Sequence, residues 1–226
     1  MKNQYRFFEE ENFEDLKHRI FNVLRLRTGD TFSLVSKGKE YICQLTKDNY
    51  KIIEEITVDR EPKINLTLAI ANLKKDKLEY VLQKATEVGV NNFLIFNGEN
   101  SVKITDSSSF KKSFDRYKKI IREACEQSLR LYEPKIEWVE FEKINWASYD
   151  TIFITDPIGA PLNQVLGTNK CQNSLLLIGP EGGFSQKEFE FVKEKGGTLI
   201  SFGKRILRSE TAAMVISANI INYFEK

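Results

Sequence analysis

From INLTLAI (64–70) to the end of the chain, short apolar runs alternate with amphipathic stretches of helical period, and this alternation constrains the fold more than any other feature. The first run is a candidate for a buried strand. The stretch that follows, KLEYVLQKATEVG, puts Leu78, Val81, Leu82, Ala85 and Val88 on one helical face and ends at Gly89, a residue suited to a left-handed helix stop. The rhythm then repeats: strand NFLIF, a long helix FDRYKKIIREACEQSLRLY, and strands KIEWVEF, TIFIT and SLLLIG. Another helix, strand TLISF and a last helix from about Glu210, with Ser209 as its cap, complete it. Strands alternating with helices of this length imply an α/β domain with a mostly parallel sheet covered on both faces. The polar DSSSFKKS (106–113) reads as a loop.

Upstream of Pro62 the text differs. TFSLV, EYICQL and KIIEEI are strand-like pieces separated by the turn-prone SKGK and TKDN, which predicts a small antiparallel barrel or meander. Before them, HRIFNVLRLRTGD sets Ile20, Val23 and Leu24 at helical spacing and stops at Gly29. The expected division is a β-rich module over residues 1–62 and an α/β domain over 63–226.

A hydrophobic content of 41% over 226 residues is enough for real cores. Lys and Arg number 34 against 32 Asp and Glu, so a net charge of +2 neither demands nor excludes a polyanionic partner, and any nucleic-acid surface must be a local patch. Cys43, Cys125 and Cys171 are odd in number and scattered, which fits neither a disulfide framework nor a zinc site. Reduced thiols, no metal, no membrane partner and a cytoplasmic location are the expectation.

The connection IGPEGGFSQKEF joins the SLLLIG strand to a helix. Ser185 with Glu188 makes a capping box, and Phe184 with Phe189 has the spacing of a hydrophobic staple. In an open α/β sheet, ligands bind beyond the carboxyl ends of strands, where this turn falls. It lacks the Gly-Lys-Ser/Thr of a phosphate loop and the spacing of a dinucleotide fingerprint. Glu181 among its glycines would also repel a phosphate by about 1–4 kcal/mol at roughly 4 Å. A second loop, FGKRILRSE (202–210), follows the next strand, so two strand ends offer backbone groups, a carboxylate, Arg205 and Arg208 to one ligand.

At these residues the sequence resembles the SPOUT methyltransferases, the α/β-knot superfamily, and most closely the bacterial small-subunit (16S) rRNA uridine-N3 methyltransferases. The matching pieces are HRIFNVLR with TGD, QKATEVGV, EACEQSLR followed by Pro134, LLLIGPEGGFSQKE and FGKRILRSETAA, in family order over nearly the whole chain. The last two are highly specific together. One departure is NGENSVK (97–103), where the family tends to carry an arginine-containing segment; Lys103 is a candidate substitute.

The resemblance implies a PUA-like RNA-binding barrel, a C-terminal trefoil knot that forms an S-adenosylmethionine pocket, and a homodimer with the site at its interface. Carried over by position, Gly179, Pro180, Glu181 and Gly182 would line the cofactor, with Leu177 beneath them. Phe202, Gly203, Ile206, Leu207 and Arg208 would do so from the second loop, with Thr211 beyond it and Thr155 from the TIFIT strand. Uracil N3 is a poor nucleophile until it loses its proton, so a base or a cation that stabilises the uracilate belongs near the methyl group. Arg208 and Glu210 flank the second loop, and Gln127 and Arg130 share an i, i+3 spacing on the long helix that would let both face the same way. The expectation is Arg208 and Arg130 as stabilisers, Glu210 as base and Gln127 beside them. His18, the single histidine, with Arg19, Arg25 and Arg27, would contact RNA, while Phe21 and Phe32 read as core. Two alternatives stand beside methylation of N3: a related enzyme acting on another RNA nucleotide, which NGENSVK favours, and a non-catalytic dimeric RNA-binding assembly factor.

Overall fold

The computed structural model describes residues 5–9, 16–47, 49–101, 107–167 and 172–225. They divide into two units, one of residues 1–61 with 125–132 and the other of residues 62–124 with 133–226. In the first, β1 (Arg6–Phe8) pairs parallel with β2 (Thr31–Ser36), and β2, β3 (Lys39–Leu45) and β4 (Tyr50–Ile56) form an antiparallel meander. Alternating residues of these strands meet in one small core, where the fully buried Phe32 ring stands edge-on to Phe7 at 5.6 Å and to Tyr50 at 5.7 Å. Phe32 is thus core, as expected.

The stretch before β2 departs from the expected helix. His18–Val23 is a π-helical turn, and of the three residues at helical spacing Ile20 is wholly buried and Leu24 packs against the same core, whereas Val23 is 62% exposed. Burial raises the thiol of Cys43 to about 11, which leaves it an inert core residue; Cys125 is also buried and free. Cys171 lies outside the described residues. The unit also buries charge. Arg6 donates to Glu40 at 3.1 Å and to the carbonyls of Cys125 and Arg130 at 3.0 and 2.5 Å, while Arg60 holds the other Glu40 oxygen at 2.5 Å. Burial pushes the Glu40 carboxyl up, but the hydrogen bonds and charges of Arg60 and Arg6 outweigh it and hold the group below its ordinary range.

The second unit is an all-parallel six-stranded sheet in the order β10-β8-β9-β5-β6-β7, made of β5 (Asn65–Ala71), β6 (Asn92–Phe96), β7 (Lys135–Trp138), β8 (Thr151–Pro161), β9 (Asn173–Ile178) and β10 (Thr198–Ser201). The central strands β5 and β9 are buried on both faces after their first residue, and their polar Thr67 and Ser174 are buried with the apolar ones. Helices α1 (Lys75–Val88), α2 (Ser107–Ser128), α3 (Leu162–Leu166), α4 (Gln186–Glu194) and α5 (Ser209–Phe224) connect them. α1 buries Leu78, Val81, Leu82 and Ala85 and stops at Gly89, whose φ of 111° is left-handed.

Two features of this unit correct the sequence reading. Residues 107–113 are helical rather than a polar loop, because Phe110 is buried and packs on Tyr117 at 5.7 Å and Trp138 at 5.6 Å. Burial of a phenylalanine, about 1.5–3 kcal/mol, outweighs the weak helix propensity of serine, a few tenths of a kcal/mol per residue. The same helix ends at Ser128, not beyond Arg130: Leu129 takes a φ of 64°, and Arg130 leaves the helix to become 3% exposed while Gln127 stays in solvent. Their i, i+3 spacing therefore does not give them a common face.

Candidate active site

Parallel strands bring their carboxyl ends to one edge of the sheet, and the loops leaving β5, β6, β8, β9 and β10 gather there. After β9 the chain turns through Gly179–Gly183, closed by the Gly183 amide donating to the Pro180 carbonyl at 2.9 Å. The left-handed residue is Gly183, φ 73°, and not Gly182. Gly182 is constrained by a close neighbour instead: a Cβ there would lie 3.0 Å from the Asn100 Cβ and 3.2 Å from its carbonyl oxygen, so Asn100 would have to give way. Asn100 Nδ2 in turn donates to the carbonyls of Gly182 and Gly183 at 3.4 and 3.2 Å.

The launch of α4 follows the sequence reading. The Glu188 amide donates to Ser185 Oγ at 3.2 Å, the Ser185 amide donates to Glu188 Oε2 at 2.7 Å, and the Phe184 and Phe189 rings meet at 5.6 Å. Glu188 Oε1 also accepts from the Glu99 amide at 3.1 Å, so Glu99 and Asn100 of NGENSVK both brace the glycine turn. Lys103 lies outside the described residues.

The second loop runs from Phe202 to Arg208 through Gly203, φ 84°. Ser209 is not the cap of α5: it is the first helical residue, and its Oγ donates to the Gly179 carbonyl at 2.9 Å, stitching the two loops together. Arg208 holds the cap position with its side chain unbonded to the helix and exposed. A third wall comes from β8. Its register with β10 jumps between Leu199, which faces Ile154, and Ile200, which faces Ala160, so residues 155–159 bulge over the strand end. Gly159 makes this contact feasible, since a Cβ there would lie 2.5 Å from the Ile200 backbone.

The three walls enclose a cavity of about 180 Å³. Thr155, Gly179, Pro180, Glu181, Phe202, Gly203, Ile206 and Leu207 line it, all of them residues the sequence singled out. Gly182, Leu177, Arg208 and Thr211 do not. Gly182 faces Asn100, and the Leu177 side chain is wholly in the core, offering only a carbonyl to Thr155 Oγ1 at 3.1 Å. Asp156, Ser209 and Ala212 line the cavity too and were missed. The bulge that delivers Asp156 depends on strand register, which leaves no local pattern; the serine was visible but read as a cap.

At the rim, Lys77 of α1 is paired with Glu181 and lies 3.6 Å from Glu210. Its hydrogen bond and charge, with smaller contributions from Lys74 and Arg208, hold the Glu181 carboxyl below its ordinary range; the same bond raises Lys77. The carboxylate in the glycine turn is therefore anionic and half exposed beside the cavity.

The other expected residues belong to the first unit. Arg130 is buried, its Nη2 and Nε on Glu61 at 2.8 and 3.1 Å, and its geometry is that of a structural brace. Arg19 is paired with Glu126 through two bonds of 3.1 and 2.8 Å and lies over the Phe7 ring at 5.0 Å, whereas His18, Arg25 and Arg27 are exposed.

Comparison with known proteins gives this geometry its context. A family model described as an RNA methyltransferase domain matches residues 60–221. The ribosomal RNA small subunit methyltransferase E of Mesomycoplasma hyopneumoniae is 33% identical over 96% of this chain and 99% of its own, and that of Bacillus subtilis is 35% identical over 87% and 83%. Among solved structures, a ribosomal RNA small subunit methyltransferase E from Neisseria gonorrhoeae bound to S-adenosyl methionine superposes with a TM-score of 0.85 at 26% identity, covering 98% of both chains. With a glycine turn, a stitched second loop and a matching chain almost end to end, this protein belongs to the RNA methyltransferase family, among the ribosomal RNA small subunit methyltransferase E proteins.

Proposed function

We propose that the protein transfers a methyl group from S-adenosylmethionine to N3 of a uridine in 16S rRNA of the small ribosomal subunit. The observation that carries this reading is the cavity at the strand ends, where an anionic carboxylate stands among glycines and no phosphate-binding motif is present. The residues fit the cofactor's chemistry. Ile178, Ile200 and Phe202 offer an apolar bed for an adenine, Glu181 and Asp156 suit cationic centres, and Arg205 suits a carboxylate. When bound, S-adenosylmethionine supplies an electrophilic methyl group on a sulfonium.

The chain's own task is alignment and proton removal. Glu210, 14% exposed in the first turn of α5, is proposed to accept the N3 proton, and Arg208, at the mouth of the same loop, to stabilise the negative charge that develops on the uracil. With the N3 proton on Glu210 and the developing charge held by Arg208, the uracil would be the nucleophile toward a methyl group that bound S-adenosylmethionine would supply.

The finer architecture belongs to the same proposal. Residues 1–62 are read as a PUA-like RNA-binding barrel, with exposed His18, Arg25 and Arg27 supplying phosphate contacts and Arg19 a secondary one. Residues 63–226 are read as the methyltransferase domain, its end threaded as a trefoil knot. The route supports the knot: after β10 pairs at the sheet edge, α5 returns to pack on α1, β5 and β9. Exposed Ile158, Ile206 and Tyr223, of which Ile206 lines the cavity, support a homodimer, and action on ribosomal RNA in the cytoplasm belongs to the same reading; among the described residues no helix is long and apolar enough to cross a membrane.

Nucleoside mass spectrometry of small-subunit rRNA from a deletion strain tests the reaction. Loss of 3-methyluridine, restored by the wild-type gene, is expected; unchanged 3-methyluridine rejects the substrate. A second reading, methylation of another nucleotide on the same fold, is favoured by Asn100, which stands in NGENSVK and turns its amide to the glycine loop. Loss of a different methylated nucleoside in the same experiment would establish it.

A further inference from the structure

Lys77 occupies the first turn of α1, where the unbonded amides make the positive end of the helix dipole and a cation is disfavoured. Two carboxylates offset that position. One is Glu181 of the glycine turn after β9, the other Glu210 of the helix that follows the second loop. Glu210 is the more buried, 14% exposed against 49%, and its Oε2 has no hydrogen-bond partner, only the Lys77 ammonium at 3.6 Å. The two loops are otherwise joined by the neutral Ser209–Gly179 bond deeper in the cavity. A single ammonium, carried by a third element, thus spans the rim between both loops.

We propose that Lys77 is a positioning residue for methyl transfer, its ammonium clamping Glu181 and Glu210 so that the two loops keep one spacing and Glu210 one orientation. The proposal rests on the reading that this cavity takes S-adenosylmethionine and that Glu210 handles the proton. Without the ammonium, two carboxylates face each other across the rim and drive the loops apart. Nothing in the sequence marks this residue, because KKDK carries three lysines and only the fold selects which one reaches both loops.

The test compares Lys77→Met, which keeps most of the stem's volume, with Lys77→Arg, which keeps the charge. In cofactor-free protein, hydrogen exchange is read at Gly183, bonded to the Pro180 carbonyl, and at Ala212, bonded to the Arg208 carbonyl. Lys77→Met is expected to speed exchange at both by about tenfold, and Lys77→Arg to recover most of the protection. Calorimetry with S-adenosylmethionine and methylation of small-subunit RNA follow. In Lys77→Met, kcat is expected to fall by about 10- to 100-fold with a smaller rise in KM, and Lys77→Arg to recover most of it. Unchanged exchange at both amides in Lys77→Met overturns the clamp, and so does equal damage by Met and Arg. A wild-type protein that binds no S-adenosylmethionine removes the cofactor reading instead, and the exchange measurements then decide the clamp by themselves.

Discussion

Arg208 and Gly182 sit a few residues from the cavity, yet their side-chain positions carry different consequences. Arg208 is exposed at the cap of α5 with no bond to the helix, so its loss should leave the fold and the cofactor loops intact. Arg208→Ala is therefore expected to lower kcat by about 10²–10³ while the cofactor Kd changes little, as for removal of a group that acts on developing charge. Parallel calorimetry and single-turnover assays check this, and equal losses in both would move Arg208 to the cofactor side. A side chain at Gly182 would press on Asn100, which would have to give way. Gly182→Val should displace the turn at an overpacking cost of about 1–3 kcal/mol, weakening S-adenosylmethionine binding by about 5- to 150-fold. Normal binding by that variant would contradict the assigned role of the turn. The sequence singled out Gly182 as lining the cofactor, whereas the structure turns it toward Asn100, because which glycine takes the left-handed angle and which one meets a neighbour depends on where Asn100 lies.

At the scale of elements, the best-read feature was the start of α4. Its capping box and staple involve residues within five positions of one another, so the whole device is written locally. Ser185→Ala should destabilise the protein by about 1 kcal/mol, measured by chemical denaturation, and loosen the glycine turn that Glu188 also braces through Glu99. A change below the error of the measurement would mean that packing of Phe184 and Phe189 alone launches the helix. The two ends of α2 were misread for the opposite reason. Phe110 draws the serine-rich stretch into the helix through contact with Trp138, and Arg130 is drawn out of it by Glu61; both partners lie far off in sequence.

For the whole molecule, Ile206 lines the cavity and is exposed, as are Ile158 and Tyr223, and the homodimer proposed above would cover them. The protein is expected to sediment as a dimer at micromolar concentration, and Ile206→Glu to shift it toward monomer with loss of cofactor binding. A wild-type monomer with full activity would refute the shared site. By itself the sequence determined the strand and helix alternation, the parallel sheet that follows from it, the position of Gly89 and the two loops at the strand ends. These are set by period, caps and residue type, which act over one or two turns of chain. Only the tertiary structure decided that residues 155–159 bulge over β10, that Ser209 bonds Gly179 instead of capping its helix, that Arg130 is buried against Glu61, and that Lys77 reaches both Glu181 and Glu210. Each of those depends on register and approach between segments tens of residues apart, and a linear pattern carries no distance between them.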